Sequence, residues 1–332
     1  MTEFPSIDLN DYATGSARQA RELAMRVDEI CRETGFLAIT GHGVPSELIR
    51  SVWHTSQAFF DLPESKKLEV KSPVEGYPYG YFPLQAESLA RSRGEVSPPD
   101  LKESFNIGPL NPPPGIAQNT DTDFCFAPNL WPDEPADFRS VWIDYYAAMG
   151  ALAATIMRIF ALALDLREDY FDDKTDHCIS AMRALNYPHT TSRPEPGQLR
   201  AGAHTDYGSL TILLPDATSG GLEILTPTAE WQSVPACADT FVINIGDLMA
   251  RWTNDRWVST MHRVVNPAGN QKESTRRQSI VFFQQPNWDA EIACIPTCLA
   301  AGEQPRYSPV TSGRYLMDRF SSTVEPQASD LR

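Results

Sequence analysis

The feature that most constrains the fold of this chain is a set of three side chains with metal-binding chemistry: His204, Asp206 and His262. One residue separates His204 from Asp206, so in an extended segment both side chains project from the same face. His262 follows Asp206 by 56 residues and lies in the β-branched run 259–265, which is typical of a strand. The fold must therefore bring two distant extended segments together around one ion.

Two imidazoles and one carboxylate occupy one face of an ion and leave its other coordination positions open. This is the ligand set of non-haem Fe(II) oxygenases. A single histidine is more often a hydrogen-bonded core or surface residue, so the prediction depends on the three residues occurring together. The sequence predicts an iron-dependent oxygenase in which His204, Asp206 and His262 are the metal ligands and the catalytic centre.

A second constellation follows at Arg277 and Ser279, which lie two apart at the start of an apolar run, 279–283, that indicates a buried strand. A buried arginine needs an anion, and its planar guanidinium matches a carboxylate in a bidentate manner. A dicarboxylic co-substrate would meet that need, with its far carboxylate on Arg277 and Ser279. An internal salt bridge between Arg277 and an acidic residue of the chain is the alternative.

Several motifs together resemble one family. They occur in the family's order and span most of the chain. The chain resembles the Fe(II)- and 2-oxoglutarate-dependent dioxygenases of the isopenicillin N synthase-like group at residues 36–44 (Phe-Leu-Ala-Ile-Thr-Gly-His-Gly-Val), Asn-Tyr-Pro at 186–188, His-Thr-Asp at 204–206, Gly-Gly-Leu-Glu at 220–223, Asn-Ile-Gly-Asp at 244–247, His-Arg-Val at 262–264 and Arg-Gln-Ser at 277–279.

The resemblance implies a mixed α/β (α+β) fold with a double-stranded β-helix core, the jelly-roll or cupin-like arrangement. It also implies Fe(II) as cofactor, with 2-oxoglutarate and O2 as co-substrates that yield succinate and CO2 while a small organic molecule is oxidised. Hydroxylation is the commonest outcome in the group, and desaturation and cyclisation also occur. By the same resemblance, Arg277, Ser279 and Tyr187 hold 2-oxoglutarate.

One departure from the family pattern concerns spacing. Arg277 follows His262 by 15 residues, which is more than the family's usual gap. The turn-rich polar stretch at 267–273 would accommodate the extra length in a surface hairpin without moving either strand. Of the adjacent Arg276 and Arg277, only Arg277 has a serine two residues later, so we assign the anchor to Arg277.

Two other functions remain open from the sequence. An isopenicillin N synthase-type Fe(II) oxidase does not use 2-oxoglutarate, and its Arg-x-Ser pair binds a substrate carboxylate instead. A barrel that keeps its metal and ligand sites without turnover is an alternative of another class, because a fold alone does not determine function. The sequence contains no nucleotide-binding glycine loop and no nucleophile elbow that would indicate different chemistry.

The chain divides into an accessory region, residues 1–133, and a jelly-roll domain, residues 134–332. Helices are expected after Ser16 and after Pro45, with a first strand between them. Long proline-rich loops are expected over 66–133, and a backing helix over 136–164. Strands are expected at 181–186, 209–214, 222–225, 241–245, 257–265 and 279–283.

Aromatic side chains cluster in the proline-rich loops, which in the resembling family cover the mouth of the barrel. Long loops in a compact protein are often functional. The residues expected to contact substrate are Tyr79, Tyr81, Phe82, Phe105 and Phe283. The alternative is that the loop aromatics only attach the loop to the barrel.

Charge and composition limit the partners. The formal net charge is −15 and no Lys/Arg-rich run occurs, which argues against a nucleic-acid or anionic membrane partner. We expect no signal peptide and no membrane span, hence a cytoplasmic protein that is a monomer or homodimer. The six scattered cysteines predict reduced, packed thiols.

Overall fold

The structure, a computed structural model of the 332-residue chain, describes residues 4–74, 76–90, 97–113, 120–189, 194–217, 219–237, 239–267 and 275–324. Most of the stretch at 267–273, to which the sequence assigns the longer hairpin, lies outside these described residues. The explanation for the long spacing between His262 and Arg277 therefore stays a prediction.

Among the described residues, seven of the helices lie before residue 176 and ten of the strands lie after it. The helices are α1 (Asn10–Ala13), α2 (Ala17–Glu33), α3 (Ser46–Phe60), α4 (Glu64–Leu68), α5 (Thr120–Cys125), α6 (Phe138–Ala163), α7 (Asp172–Thr175), α8 (Asp247–Trp252) and α9 (Ser312–Val324). The strands are β1 (Ser6–Asp8), β2 (Phe36–Thr40), β3 (Gly80–Phe82), β4 (Glu103–Ile107), β5 (Ala181–Tyr187), β6 (Ala201–His204), β7 (Leu210–Leu214), β8 (Leu222–Leu225), β9 (Trp231–Ser233), β10 (Phe241–Ile245), β11 (His262–Val264), β12 (Arg277–Gln284), β13 (Glu291–Ile292) and β14 (Val310–Thr311).

A large sheet and a small sheet form the jelly-roll core. The large sheet has the strand order β1-β2-β10-β7-β12-β5-β4-β3, and its pairs are antiparallel except for β1 with β2. The small sheet has the order β6-β11-β8-β9. Four strands of the large sheet come from residues 1–133, so the accessory region is part of the core sheet; the division at 133/134 stays a prediction.

Strands β5 and β12 show how the large sheet separates cavity from core. They pair in antiparallel register, with Arg277 opposite Tyr187 and Val281 opposite Arg183. Because successive side chains of a strand alternate between faces, one face of this pair lines a cavity and the other packs under α6. The cavity face carries Arg183, Leu185, Tyr187, Arg277, Ser279, Val281 and Phe283, while the core face carries Ala184, Ile280 and Phe282.

The two longest helices agree with the sequence. Ser16 caps α2 through a reciprocal capping box with Gln19, as its sequence predicts. Helix α6, predicted over 136–164, buries an apolar stripe in the core: Trp142, Tyr145, Met149, Leu152, Ile156, Ile159 and Ala163. This stripe packs the helix behind the large sheet.

Helix α6 bears on the expectation that the chain has no membrane span. By length and composition this helix is apolar enough to cross a membrane. Half of its most apolar window is nevertheless buried inside the protein, and its side chains belong to the central core cluster. The hydrophobicity of the helix is therefore accounted for by core packing.

Three predictions of strands were wrong or incomplete. Residues 66–133, predicted to be loops, contain β3 and β4. All five residues of β4 are buried, although Glu103, Ser104 and Asn106 are polar and hid the strand pattern. Strands β1, β6, β9, β13 and β14, which have two to four residues each, were not predicted. The strand predicted at 257–265 is limited to His262–Val264.

Candidate active site

A cavity of about 1240 Å³ lies between the inner faces of the two sheets. Its wall includes His204, Asp206 and His262 on one side and Arg277 with Ser279 on the other. Much of the remaining wall is apolar, including Leu185, Leu213, Leu222, Val264, Val281 and Phe283. The cavity therefore combines two polar constellations with an apolar interior, which is typical of small-molecule sites.

The small sheet brings the three predicted ligands together. His204 ends β6 and His262 begins the adjacent β11, and the two residues are direct cross-strand partners with ring centroids 4.3 Å apart. The Asp206 Oδ1 atom lies 3.9 Å from His204 Nε2 and 3.8 Å from His262 Nε2. One ligand atom from each residue lies within 4.8 Å of the other two, a group that can hold one metal ion.

Hydrogen bonds direct these three atoms toward a common point. The Nδ1 atom of His204 lies 2.7 Å from the Gly202 carbonyl, and that of His262 lies 3.1 Å from the Thr260 carbonyl. A carbonyl accepts only, so each Nδ1 carries the proton and each Nε2 presents a lone pair. The two Nε2 atoms are therefore available to coordinate a metal ion.

Asp206 is oriented in the same way. Its Oδ2 atom accepts hydrogen bonds from Thr211 Oγ1 at 2.6 Å and Asn244 Nδ2 at 2.7 Å, which leaves Oδ1 facing the histidines. Sequence reasoning quoted the motif around Asn244 without assigning this role. Thr211 could have been found from its alternation along β7, because it faces the cavity together with Leu213.

Electrostatics keep His204 and Asp206 in their metal-binding protonation states. Burial, reinforced by the proximity of His262, lowers the pKa of His204 to about 3. Burial alone would raise the pKa of Asp206, but the two histidines and the hydrogen bonds from Asn244 and Thr211 outweigh it and lower that pKa. At neutral pH, His204 is neutral and Asp206 is ionised, as coordination requires.

Arg277 is buried, and no carboxylate pairs with it among the residues that the structure describes. Its side chain is 2% exposed, and its guanidinium lies 4.9 Å from the centre of the Tyr187 ring. Its Nε donates to the Gly220 carbonyl at 2.9 Å, and its Nη1 donates to Ser279 Oγ at 3.2 Å. The internal salt bridge considered from the sequence is therefore absent over the described residues, and the cation faces the cavity.

The choice between Arg276 and Arg277 follows from the faces of the strand. Arg276 Nε donates to Asn186 Oδ1 at 2.8 Å, and its Nη1 pairs with Asp61 at 2.5 Å, whereas Arg277 faces the cavity. The structure brings Arg277, Ser279 and Tyr187 together, in agreement with the grouping expected from the sequence.

Four of the five aromatic residues expected near substrate line the cavity: Tyr79, Tyr81, Phe82 and Phe283. The Tyr79 hydroxyl donates to the Cys125 carbonyl at 2.6 Å, and the Tyr81 hydroxyl donates to Glu103 at 2.5 Å. These bonds attach Tyr79 to α5 and Tyr81 to β4. The contact of these residues with substrate stays a prediction.

Phe105 does not line the cavity, contrary to the expectation that it contacts substrate. It is fully buried, and its ring packs edge-to-face against Phe59, Phe138 and Trp142 with centroid distances of 4.9–5.1 Å. Because side chains alternate along β4, Phe105 points into the core. Phe105 is therefore a packing residue of the core and does not belong to the cavity wall that the described residues form.

A charged cluster in the cavity wall was missed by sequence reasoning. Arg183 on β5 forms a bidentate pair with Glu87, and Lys102 pairs with both Glu87 and Asp100. The position of Arg183 four residues before Tyr187, on the same face of a strand, was an available signal. Nothing local in the sequence pointed to Glu87, because 96 residues separate it from its partner.

The last described helix closes part of the cavity. Leu316 and Phe320 of α9 line its wall, and Arg319 pairs with Asp247 at 3.0 Å. The same carboxylate accepts a hydrogen bond from Thr205, between two predicted ligands, at 3.1 Å.

Comparisons with known proteins agree with this geometry. Two family models match the chain: the N-terminal region described as "non-haem dioxygenase in morphine synthesis" at residues 4–134, and the 2OG-Fe(II) oxygenase superfamily at residues 178–286. A 2-oxoglutarate-Fe(II) type oxidoreductase of Emericella nidulans, hxnY, is 36% identical over 320 residues, covering 93% of this chain and 87% of the relative. The clavatol oxidase claD of Penicillium crustosum is 33% identical, with 87% of each protein covered.

Solved structures give the same result. A full-length Neurospora crassa protein, solved in complex with alpha-KG and thymine, has a TM-score of 0.85 and 32% identity, with 96% of this chain and 97% of that chain covered. JOX2 in complex with 2OG, Fe and JA has a TM-score of 0.75 and 26% identity, with 98% of this chain and 90% of that chain covered.

Proposed function

The chain belongs to the 2-oxoglutarate- and Fe(II)-dependent oxygenase family, and we propose that His204, Asp206 and His262 are its iron ligands. The observation that supports this proposal is the convergence of two Nε2 atoms and one carboxylate oxygen within 4.8 Å on buried residues. Hydrogen bonds occupy the remaining polar atoms of these side chains, which leaves the two Nε2 atoms and Asp206 Oδ1 for the metal.

The protein is an oxidoreductase that uses Fe(II), 2-oxoglutarate and O2 to oxidise a small organic molecule, with release of succinate and CO2. When bound, the iron supplies the activation of O2 that the side chains of a protein cannot perform. The Emericella nidulans relative is named for 2-oxoglutarate, and the two solved structures contain it, which favours this co-substrate over the oxidase alternative. We propose hydroxylation as the outcome, because it is the commonest reaction of the resembling group.

The residues of the chain orient and shield the reactants. The carbonyls of Gly202 and Thr260 fix the tautomers of His204 and His262. Arg277, Ser279 and Tyr187 are proposed to hold the distal carboxylate of 2-oxoglutarate, because the guanidinium is buried without a carboxylate partner among the described residues. Apolar walls then exclude water from the reacting centre.

The ligand assignment is tested with Asp206→Ala and a matched control, Asp144→Ala, which changes an exposed aspartate on α6. We expect Asp206→Ala to abolish succinate formation and to lose iron on desalting, measured by metal analysis. The control should retain both properties. Retained iron and turnover in Asp206→Ala would overturn the assignment.

We propose a cytoplasmic monomer or homodimer that binds neither nucleic acid nor membrane, supported by the net charge of −15. Light scattering should give a mass of 36.9 kDa or twice that value. Co-purification with nucleic acid or sedimentation with lipid vesicles would overturn the proposal.

A further inference from the structure

We propose that Arg183 and Glu87 form the substrate-recognition site of the cavity, and that they select a neutral group that both donates and accepts hydrogen bonds, such as a carboxamide or lactam. This inference rests on the proposed function, because it assigns the part of the cavity that 2-oxoglutarate leaves open. The observations that support it are the position of the pair, its geometry and its charge balance.

Position along the large sheet separates the two arginines of the cavity. Arg183 and Tyr187 lie on the same face of β5, four residues apart, and Tyr187 is the cross-strand partner of Arg277. Four residues of a strand span about 13 Å. The pair is therefore well removed from the proposed anchor of the co-substrate, in the same cavity.

The geometry of the pair leaves hydrogen-bonding capacity toward the cavity. Arg183 Nη1 donates to Glu87 Oε2 at 3.0 Å, and Nη2 donates to Glu87 Oε1 at 3.2 Å. A guanidinium has five N–H donors and each carboxylate oxygen has two lone pairs, so the pair keeps unused donors and acceptors side by side. The side chains are 20% and 25% exposed, and both residues line the cavity.

The surroundings hold the pair in place. Lys102, whose side chain is 2% exposed, bonds Glu87 Oε2 at 3.1 Å and Asp100 at 3.0 Å. Phe82 lies beside the guanidinium of Arg183, with its ring centre 5.9 Å away. A recognition group held by packing and by a second ion pair is ordered before ligand binds, which reduces the entropy cost of binding.

The charges within the cluster balance. Arg183 and Lys102 carry two positive charges, while Glu87 and Asp100 can carry two negative charges. Burial opposes ionisation of Glu87, but Arg183 and Lys102 outweigh it and lower the pKa of Glu87 to about 2, so this carboxylate is charged at neutral pH. A substrate carboxylate would meet no excess positive charge, and a substrate ammonium would meet no excess negative charge.

A neutral amide fits these atoms. Its carbonyl oxygen can accept from an unused N–H of Arg183, while its N–H donates to a Glu87 oxygen. The ring or chain that carries the amide would lie against the apolar wall formed by Phe82, Leu89 and Phe283. A buried polar site rejects analogues that leave its groups unpaired, so the match provides selectivity as well as affinity.

The test uses three probes with the same ring: benzamide, benzoate and toluene. Each is titrated into the full-length protein loaded with Fe(II) and 2-oxoglutarate under anaerobic conditions, and binding is measured by calorimetry. We expect benzamide to bind at least about tenfold more tightly than benzoate and toluene. Equal or tighter binding of benzoate, or no binding of benzamide at millimolar concentration, would overturn the proposal.

Two variants test the pair itself. Arg183→Met should weaken benzamide about tenfold and leave toluene unchanged, because only the amide uses the guanidinium. Glu87→Gln makes the net charge of the cluster more positive by one unit. It should therefore strengthen the binding of benzoate relative to that of benzamide by about tenfold. Equal loss for all three probes in both variants would indicate a merely structural role and overturn the proposal.

The control variant is Arg158→Met, which removes a similar arginine–aspartate fork, with Asp172, on the outer surface. It should change binding of none of the probes. Binding of 2-oxoglutarate is measured in the same samples before each probe is added. Normal co-substrate binding with no amide preference overturns only this inference, whereas absent co-substrate binding in the unmodified protein overturns the proposed function.

Discussion

The cavity contains two arginines in opposite electrostatic situations. Arg277 is buried without a carboxylate partner among the described residues, whereas Arg183 forms a bidentate pair with Glu87. Both project from the same face of the large sheet. The difference indicates that a charge left uncompensated in the protein marks the place of an anionic ligand, while a compensated charge marks a place for a neutral one.

The largest effect should come from removing the uncompensated arginine. Arg277→Met should weaken the binding of 2-oxoglutarate by ~3 kcal/mol, or about 100-fold, because the buried carboxylate of the co-substrate would lose its charged partner. The control is Arg276→Met, one residue away and paired with Asp61 on the other side of the strand. Anaerobic calorimetry measures both. Similar losses in the two variants would remove the distinction between the arginines.

The second prediction concerns the stability of the protein without ligands. Replacing Arg183 should lower the free energy of unfolding, whereas replacing Arg277 should not. Arg183→Met should lower the free energy of unfolding by ~2 kcal/mol, because Glu87 loses a buried partner. Arg277→Met should leave that free energy unchanged or raise it, because an unpaired buried cation is removed. Urea denaturation of the apo-protein measures both. A large destabilisation by Arg277→Met would indicate a partner that the structure does not show.

The third prediction is a pH dependence. The pKa of Glu87 is lowered in the folded protein from 4.5 to about 2, so its stabilising contribution is present above pH 4.5 and is lost as the pH falls toward 2. The difference in unfolding free energy between the unmodified protein and Glu87→Gln should be ~1.5 kcal/mol at pH 7 and should shrink by pH 3. A difference that is the same at both pH values would contradict an ionised pair.

The smallest effect should come from Ser279. Its hydroxyl accepts from Arg277 and is proposed to donate to the same carboxylate of 2-oxoglutarate. Ser279→Ala should therefore weaken the co-substrate by ~1 kcal/mol, or about fivefold. Titration of 2-oxoglutarate against succinate formation checks this. A loss as large as that of Arg277→Met would mean that the serine, not the arginine, dominates the anchor.

The sequence was most informative where chemistry and spacing coincide. His204 and Asp206 share a face at a separation of two, and Arg277 and Ser279 do the same, so their grouping in space could be predicted. The distant His262 was placed correctly because a facial ligand set needs a third member. Long periodic elements such as α6 were also predictable from their apolar stripe.

The sequence was least informative where tertiary pairing decides. Phe105 was misassigned because its aromatic, proline-rich setting suggested a loop, whereas pairing of β4 with β5 turns its ring into the core. The pair of Arg183 and Glu87 was missed because its members are 96 residues apart and neither belongs to a recognisable motif. Contacts of this kind depend on the fold as a whole and leave no local pattern.

The most direct test of the central claim is an anaerobic titration of the apo-protein with Fe(II) and then 2-oxoglutarate, monitored in the visible range. We predict the weak charge-transfer band of a chelated 2-oxo acid, with saturation at low 2-oxoglutarate in the unmodified protein and at about 100-fold higher concentration in Arg277→Met. Iron binding without the band, or a band whose titration is unchanged in Arg277→Met, would contradict the account.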